Sequence, residues 1–159
     1  MQEYETMSLA KETEMGREEI DEFVAGRETG VLTLARENEP YSIPISYGYD
    51  ADTATFYMRL VSTADSEKRE FLDSSPAIRL VIYDEEGDGE TYRSIVAKGT
   101  LDELDPADLS VEQIEQYGDA KRPLFEIWGH GRDELDIKLY ELQPTEIAGR
   151  RTEIDREAF

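Results

Sequence analysis

The sequence predicts a mostly β protein, a small antiparallel β-barrel with flanking helices, on three observations. Six runs rich in β-branched and aromatic residues recur along the chain. Turn-forming Gly, Asn, Asp and Pro separate them at hairpin distances, and the helical stretches between them are few and short. The 159 residues make one domain with room for a real core.

Residues 1–15 are polar without sustained periodicity, which predicts a flexible N-terminal arm ahead of a single domain over 16–159. Arg17 to Ala25 places Ile20, Phe23 and Val24 at helical spacing, and Gly26 is a stop. GVLTLAREN is apolar enough for a strand buried on both faces, and Asn38-Glu39 turns the chain into a second strand, Tyr41 to Tyr49. Pro44 in its middle cannot donate a ladder hydrogen bond, so this is an edge strand or one against which a ligand lies. Asp50 to Thr53 then turns into the strand that starts at Phe56.

From Phe56 to Leu80, FYMRLVSTADSEKREFLDSSPAIRL reads as strand, loop, short helix, strand. Arg59 sits among Phe56, Tyr57 and Leu60, where a half-buried strand normally carries something neutral. The loop supplies Ser62, Thr63, Asp65 and Ser66, so a helix from Glu67 to Asp73 has a ready N-cap, with Lys68 in its first turn. A cation there opposes the helix dipole. Hydroxyls, free backbone N–H groups, Lys68 and Arg59 near one N-terminus point to an anion such as phosphate; the alternative is a solvated lysine in an ordinary helix.

Ala77 to Tyr83 is a strand, DEEGDGE an acidic turn, and Tyr92 to Leu101 another strand, opened by Arg93 and Ser94. Gly99 within it marks a bulge or a close backbone approach, and Asp105-Pro106 ends it. Ser110 with Gln113 three residues on is a capping box, so a helix starts there and pauses at Gly118. A second helical piece, Lys121 to Trp128, closes at Gly129. His130 follows in a loop, with no Ser, Cys or metal partner visible. The last strand is Leu135 to Leu142, which Pro144 stops or bends. Arg150 and Arg151 stand side by side beyond it, most simply as a solvated pair.

Thirty-eight Asp and Glu against 17 Lys and Arg give a net charge of −21, which argues against a nucleic-acid partner. The acids are dispersed, as on the surface of halophilic proteins, where ambient salt screens self-repulsion; an acidic interaction protein is the competing reading. There is no cysteine and one histidine, which excludes disulfides, thiolate nucleophiles and multi-histidine metal sites. No apolar run approaches a membrane span, and the acidic N-terminus lacks the features of a signal peptide, so the expected location is cytoplasmic.

Over about residues 17–149, the order and spacing of GVLTLARENEPYSIPISYGYD, FYMRLVSTADSEKREFLDSSPAIRLVIYD, YRSIVAKGTLDEL and LYELQPTEIAGR resembles the pyridoxamine 5′-phosphate oxidase-like family of FMN-binding split β-barrels. The resemblance implies a six-stranded antiparallel split β-barrel that forms a homodimer, with FMN at the interface contacted by both chains. It implies that Pro44, Ile45, Ser46 and Tyr47 lie along the isoalloxazine ring. That role would explain Pro44 better than an edge strand does. Ser66 and Lys68 are similar to the family's Ser-x-Lys phosphate-binding loop, Arg59 to a residue lining the same site, and Arg93 and Ser94 to an Arg-Gln pair whose second member reaches the flavin. Serine is shorter there. Two further departures bear on function: Glu67 stands where the oxidases have a second phosphate-binding arginine, and no Arg-x-His element follows His130. The implied function is an FMN-dependent oxidoreductase with a small-molecule substrate or electron donor, other than pyridoxine phosphate. The alternatives are a non-catalytic flavin carrier or sensor, a cofactor-free scaffold, and a reductase using the deazaflavin F420.

Overall fold

The computed structural model describes residues 10–63, 66–74, 76–85, 90–119 and 135–154. In chain order the elements are β1 (Ala10–Glu14), α1 (Arg17–Ala25), β2 (Thr29–Arg36), β3 (Glu39–Ser46), β4 (Gly48–Asp50), β5 (Thr55–Thr63) and α2 (Glu67–Asp73). There follow β6 (Ala77–Glu85), β7 (Thr91–Leu104), a 3-10 turn (Pro106–Asp108), α3 (Val111–Asp119), β8 (Leu135–Leu142) and β9 (Glu146–Ile154). All the pairings are antiparallel. The strands run β3-β2-β6-β7-β8-β5-β4, with β9 adding to β7 and β1 to β9.

The six expected strands are present, and three more join them. β4 arises because the strand expected from Tyr41 to Tyr49 breaks at Tyr47, whose ring turns into the core. Its hydroxyl donates to the Val24 carbonyl (2.6 Å) and its amide to Glu28 (3.0 Å). β1 occupies residues 10–14, read as part of the arm, and pairs with β9 from Ala10↔Ile154 to Glu14↔Arg150. β9 is solvated along much of its length, which dilutes its apolar alternation.

Smaller differences have equally local causes. The first hairpin turns on Glu37 (φ 50°) and Asn38 (φ 68°), one residue earlier than expected, with the positive-φ pair that a two-residue hairpin favours. In β2 only Leu32 and Leu34 are fully buried, while Thr33 is half-buried and Ala35 exposed, so the strand is covered on one face in the single chain. Ser62 and Thr63 extend β5, and α3 runs past Gly118 to Asp119. Its capping box is reciprocal: Gln113 N–H donates to Ser110 Oγ (3.1 Å), and Ser110 N–H to Gln113 Oε1 (2.9 Å). The Lys121 to Trp128 stretch and His130 lie outside the described residues.

The inward residues Leu32, Leu34, Leu80, Ile82, Ile95 and Ala97 meet Phe56, Met58, Leu60 and Leu142 in one core, which Ile20, Phe23 and Val24 of α1 close at one end. β7 is the strand the two halves share. It pairs with β6 and β9 as far as Thr100 and Lys98 and with β8 from Leu101 onward. Gly99 stands at this change of partner. A Cβ there would lie 2.9 Å from Leu142 Cδ1, which is the close approach the glycine signalled.

Gly30 is tighter against backbone: a Cβ would stand 2.9 Å from the Val81 carbonyl, and Val81 is itself laddered to Val31. Gly30→Ala is therefore expected to cost about 1–3 kcal/mol, read as a lower urea midpoint with an unchanged slope. An unaltered midpoint would show that the β2–β6 ladder yields freely.

Candidate functional site

α2 is held by its buried face. Phe71 and Leu72 go inward, Phe71 stacks on Tyr41 of β3 (centroids 5.3 Å, 22°), and the Arg36 guanidinium lies 5.2 Å from the Phe71 ring centre. Ser66 is the N-cap, its hydroxyl accepting from the Arg69 amide (3.1 Å), as the local pattern predicts.

These anchors turn Lys68 toward β5, where its ammonium donates to the Val61 carbonyl at 2.7 Å. The side chain is half-buried, and burial pushes its pKa below the usual lysine value. Among the described residues no carboxylate lies within ion-pair distance of it. The structure thus replaces the solvated lysine with a partly desolvated cation that has two N–H donors left to use. Arg59 lies two residues before Val61 on β5, the strand whose Val61 carbonyl Lys68 reaches.

Along residues 43–47 the side chains alternate between the two faces of the strand. Ile45 and Tyr47 are buried in the core, whereas Pro44 falls on the outer face, in a register row that crosses five strands as Pro44, Val31, Val81, Val96 and Ala148. Ser46 and Ser94 share that outer alternation. β3 ends the strand order, so Pro44 sits on an edge strand within the single chain.

Arg93 belongs to another cluster. Glu19 of α1 accepts from Arg93 Nε (3.1 Å) and from Arg151 Nη1 (2.6 Å). Burial works against the Glu19 charge, but the hydrogen bonds from Arg151 and Arg93 outweigh it and hold the carboxyl below its usual value. Arg150 stays exposed, with an exposed Glu12 at 3.0 Å, so of the two adjacent arginines only Arg151 leaves the solvated pair for the cluster. The trio of Glu19, Arg93 and Arg151 escaped sequence reasoning because its members come from three distant stretches; the charged doublet was its one visible signal. With its pKa depressed in the fold, Glu19 contributes stability above the unfolded carboxyl value, and loses it as pH falls through the folded one. The stability gap between wild type and Glu19→Gln is therefore expected to be constant at neutral pH and to close below about pH 4.5. Urea titrations across that range check it, and a gap that persists in acid would contradict it.

The two clusters stand apart. α2 packs beside Arg36, next to the Ala35↔Ala77 pair, while Arg93 pairs with Asp84 at the far end of β6. Seven residues of strand separate Ala77 from Asp84, roughly 23 Å. One chain does not bring Arg93 to Lys68.

The family model described as pyridoxamine 5′-phosphate oxidase matches residues 16–151. The chain belongs to the pyridoxamine 5′-phosphate oxidase family. Solved structures of the same fold include an FAD-binding protein from Mesorhizobium loti, 17% identical, with 90% of this chain and 98% of that one covered at a TM-score of 0.64. An FAD-binding protein from Mycobacterium smegmatis is 18% identical over 90% and 100% of the two chains, with a TM-score of 0.60. An FAD- and heme-binding protein from the same organism is 15% identical over 92% of this chain and 74% of that one, at 0.59. At these identities the likeness is one of fold. Comparison with curated proteins finds no match. Within the pyridoxamine 5′-phosphate oxidase family this chain keeps the mostly β split barrel with flanking helices. No described helix is long and apolar enough to cross a membrane.

Proposed function

We propose that this protein is a flavin-binding member of the family, built as a homodimer in which Lys68 holds the flavin phosphate. The observation that carries the reading is the half-buried Lys68 ammonium, desolvated and with one carbonyl partner at 2.7 Å, since an anion is the group that offsets its burial. Arg59 on the adjoining strand adds positive charge to the same seat. The residues present fit a phosphate but make half a site. Lys68 and Arg93 lie at opposite ends of one barrel, and the row from Pro44 to Ala148 leaves small apolar side chains on the outer face. A second copy related by a two-fold axis would cover that row and bring its own set to the ligand.

A bound flavin supplies hydride chemistry; the protein's part is to orient it and keep water away. We read the activity as that of an oxidoreductase acting on a small molecule other than pyridoxine phosphate, because Glu67 replaces a phosphate-binding arginine and the Arg-x-His element is missing. FAD is the second reading, favoured by the neighbours that are themselves FAD-binding proteins.

Mass spectrometry of the ligand released on denaturing native protein is the test. FMN or FAD supports the reading and chooses between them, F420 replaces the flavin with its deaza relative, and a colourless protein that takes up none of the three sinks it. A monomer in sedimentation at micromolar concentration and high salt would remove the dimer.

A further inference from the structure

We infer that a second copy of this chain docks on the outer face of β3, β2, β6 and β7 because that face is free of acids, and that salt controls the contact, so that lowering the salt parts the two copies and releases the flavin. The inference rests on the homodimer proposed above and adds the chemistry of its surface and its control.

The face stands out by what it lacks. Thirty-eight of the 159 residues are Asp or Glu, yet the positions that alternate outward along β3 and β2, along β6 as far as Tyr83 and along β7 as far as Thr100 include none. They are Ser, Thr, Ala, Pro, Val and Tyr, with Arg79 and Lys98 as the charged members. Carboxylates return at the rim, with Glu146 where β9 starts and with Glu12 and Glu14 on β1.

A chain with a net charge of −21 meets its own copy against repulsion. A two-fold contact uses the same patch from both sides, so an acid-free patch keeps carboxylates off carboxylates twice over. Arg79 and Lys98 fit the same purpose. They are direct partners in the β6–β7 ladder, and like charges side by side cost a lone sheet stability. Between two acidic chains the same pair offsets part of the negative charge that the second chain brings near. Tyr83 lies on this face too, 70% exposed in the single chain, and tyrosine is enriched at protein interfaces.

The remaining acids act across the rim, and salt sets how far. The screening length is about 30 Å at 0.01 M, about 8 Å at 0.15 M and about 3 Å at 1 M. In dilute salt most of one chain's acids therefore repel those of the other, whereas molar salt confines the repulsion to close pairs. Burial of Val31, Val81 and Val96 is not an ionic contribution, so it persists as the repulsion is screened away. The net effect is a dimer that tightens as salt rises. Because the second copy completes the ligand set, the flavin leaves when that copy does.

Sedimentation equilibrium of the full chain in about 0.05 M and about 1 M KCl tests the control, and the dimer is expected to be about tenfold tighter or more in the higher salt. Riboflavin, titrated by fluorescence in the same buffers, is expected to follow the dimer; it lacks the phosphate and so is blind to screening at Lys68. Val96→Glu on the face and Val111→Glu on α3 add the same charge, and only the first is expected to split the dimer. Arg79→Glu guards against a damaged fold. Its new acid faces Lys98 across the ladder, so the variant monomer is expected to melt no lower than the wild-type monomer, while the dimer weakens about tenfold or more. A dimer that ignores salt, or loosens with it, overturns the control. Val111→Glu splitting the dimer as far as Val96→Glu, or Arg79→Glu leaving it as tight as wild type, overturns the surface. Riboflavin held equally by monomer and dimer breaks the link to the flavin. A monomer in both salts is a different result: it removes the homodimer itself, and this inference with it.

Discussion

Lys68→Ala is expected to weaken FMN binding about tenfold to somewhat over a hundredfold and to leave riboflavin binding unchanged. A hydrogen bond to a charged group contributes about 1.5–3 kcal/mol, which is that range of affinity. Riboflavin lacks the phosphate, so it separates a lost phosphate contact from a damaged fold. The variant also loses the bond to the Val61 carbonyl, a neutral acceptor, and a slightly lower melting temperature is expected from that alone. Lys68→Glu is expected to be worse, because a second acid joins Glu67 against a dianion.

The pH dependence has a definite sign. Burial lowers the Lys68 pKa, so the ammonium is lost at a pH below that of an ordinary lysine. The free chain therefore gains stability as pH rises from the folded value to the unfolded one. FMN affinity moves the other way over the same window, and riboflavin affinity stays level through it. Fluorescence titration of both flavins decides the matter. Equal FMN affinity in wild type and Lys68→Ala would reduce Lys68 to a strap on the end of β5.

Phe56→Ala is expected to cost about 3–5 kcal/mol of stability. The ring is fully buried and touches two others, Tyr47 at 5.4 Å edge-on and Tyr49 at 4.7 Å tilted. Both tyrosines reach on to α1, Tyr47 through Val24 and Tyr49 through Asp21 at 2.6 Å. Phe56 thus packs β5 against β4 and, through it, the helix that closes the barrel. For a chain of this size the loss corresponds to a melting temperature lower by about 10 °C. Phe56→Leu keeps most of the volume and is expected to lose less than half as much. A Phe56→Ala variant that melts within a degree or two of wild type would show that the three rings are not one packed unit.

How much could be read in advance depended on how far apart the interacting residues lie. α2 was legible from Glu67 to Asp73 because its signal is local, Ser66 as the cap just ahead of it. α1 and α3 announced themselves in the same way. β1 and β9 did not, since their apolar side chains are thinned by charges and their pairing joins opposite ends of the chain. For that reason the Glu19, Arg93 and Arg151 cluster stayed hidden. β2 shows another limit. A run such as GVLTLA is as apolar when one face waits for a second surface as when both meet the chain's own core. For Tyr47 the resemblance named the segment, but the direction of the ring depended on Val24 and Phe56, which no pattern within 41–49 contains.

The partner change at Gly99 bears on how the molecule comes apart. Because β7 is laddered first to β6 and β9 and then to β8, opening either half alone leaves it pinned by the other. Its central amides, Ile95 to Ala97, therefore exchange with solvent deuterium only when the whole domain unfolds. β1 and β4, each paired along one edge, exchange by fraying. Native-state exchange in rising denaturant would then show a single high-energy class centred on β7, and partial unfolding would begin at the rim and reach the seam last.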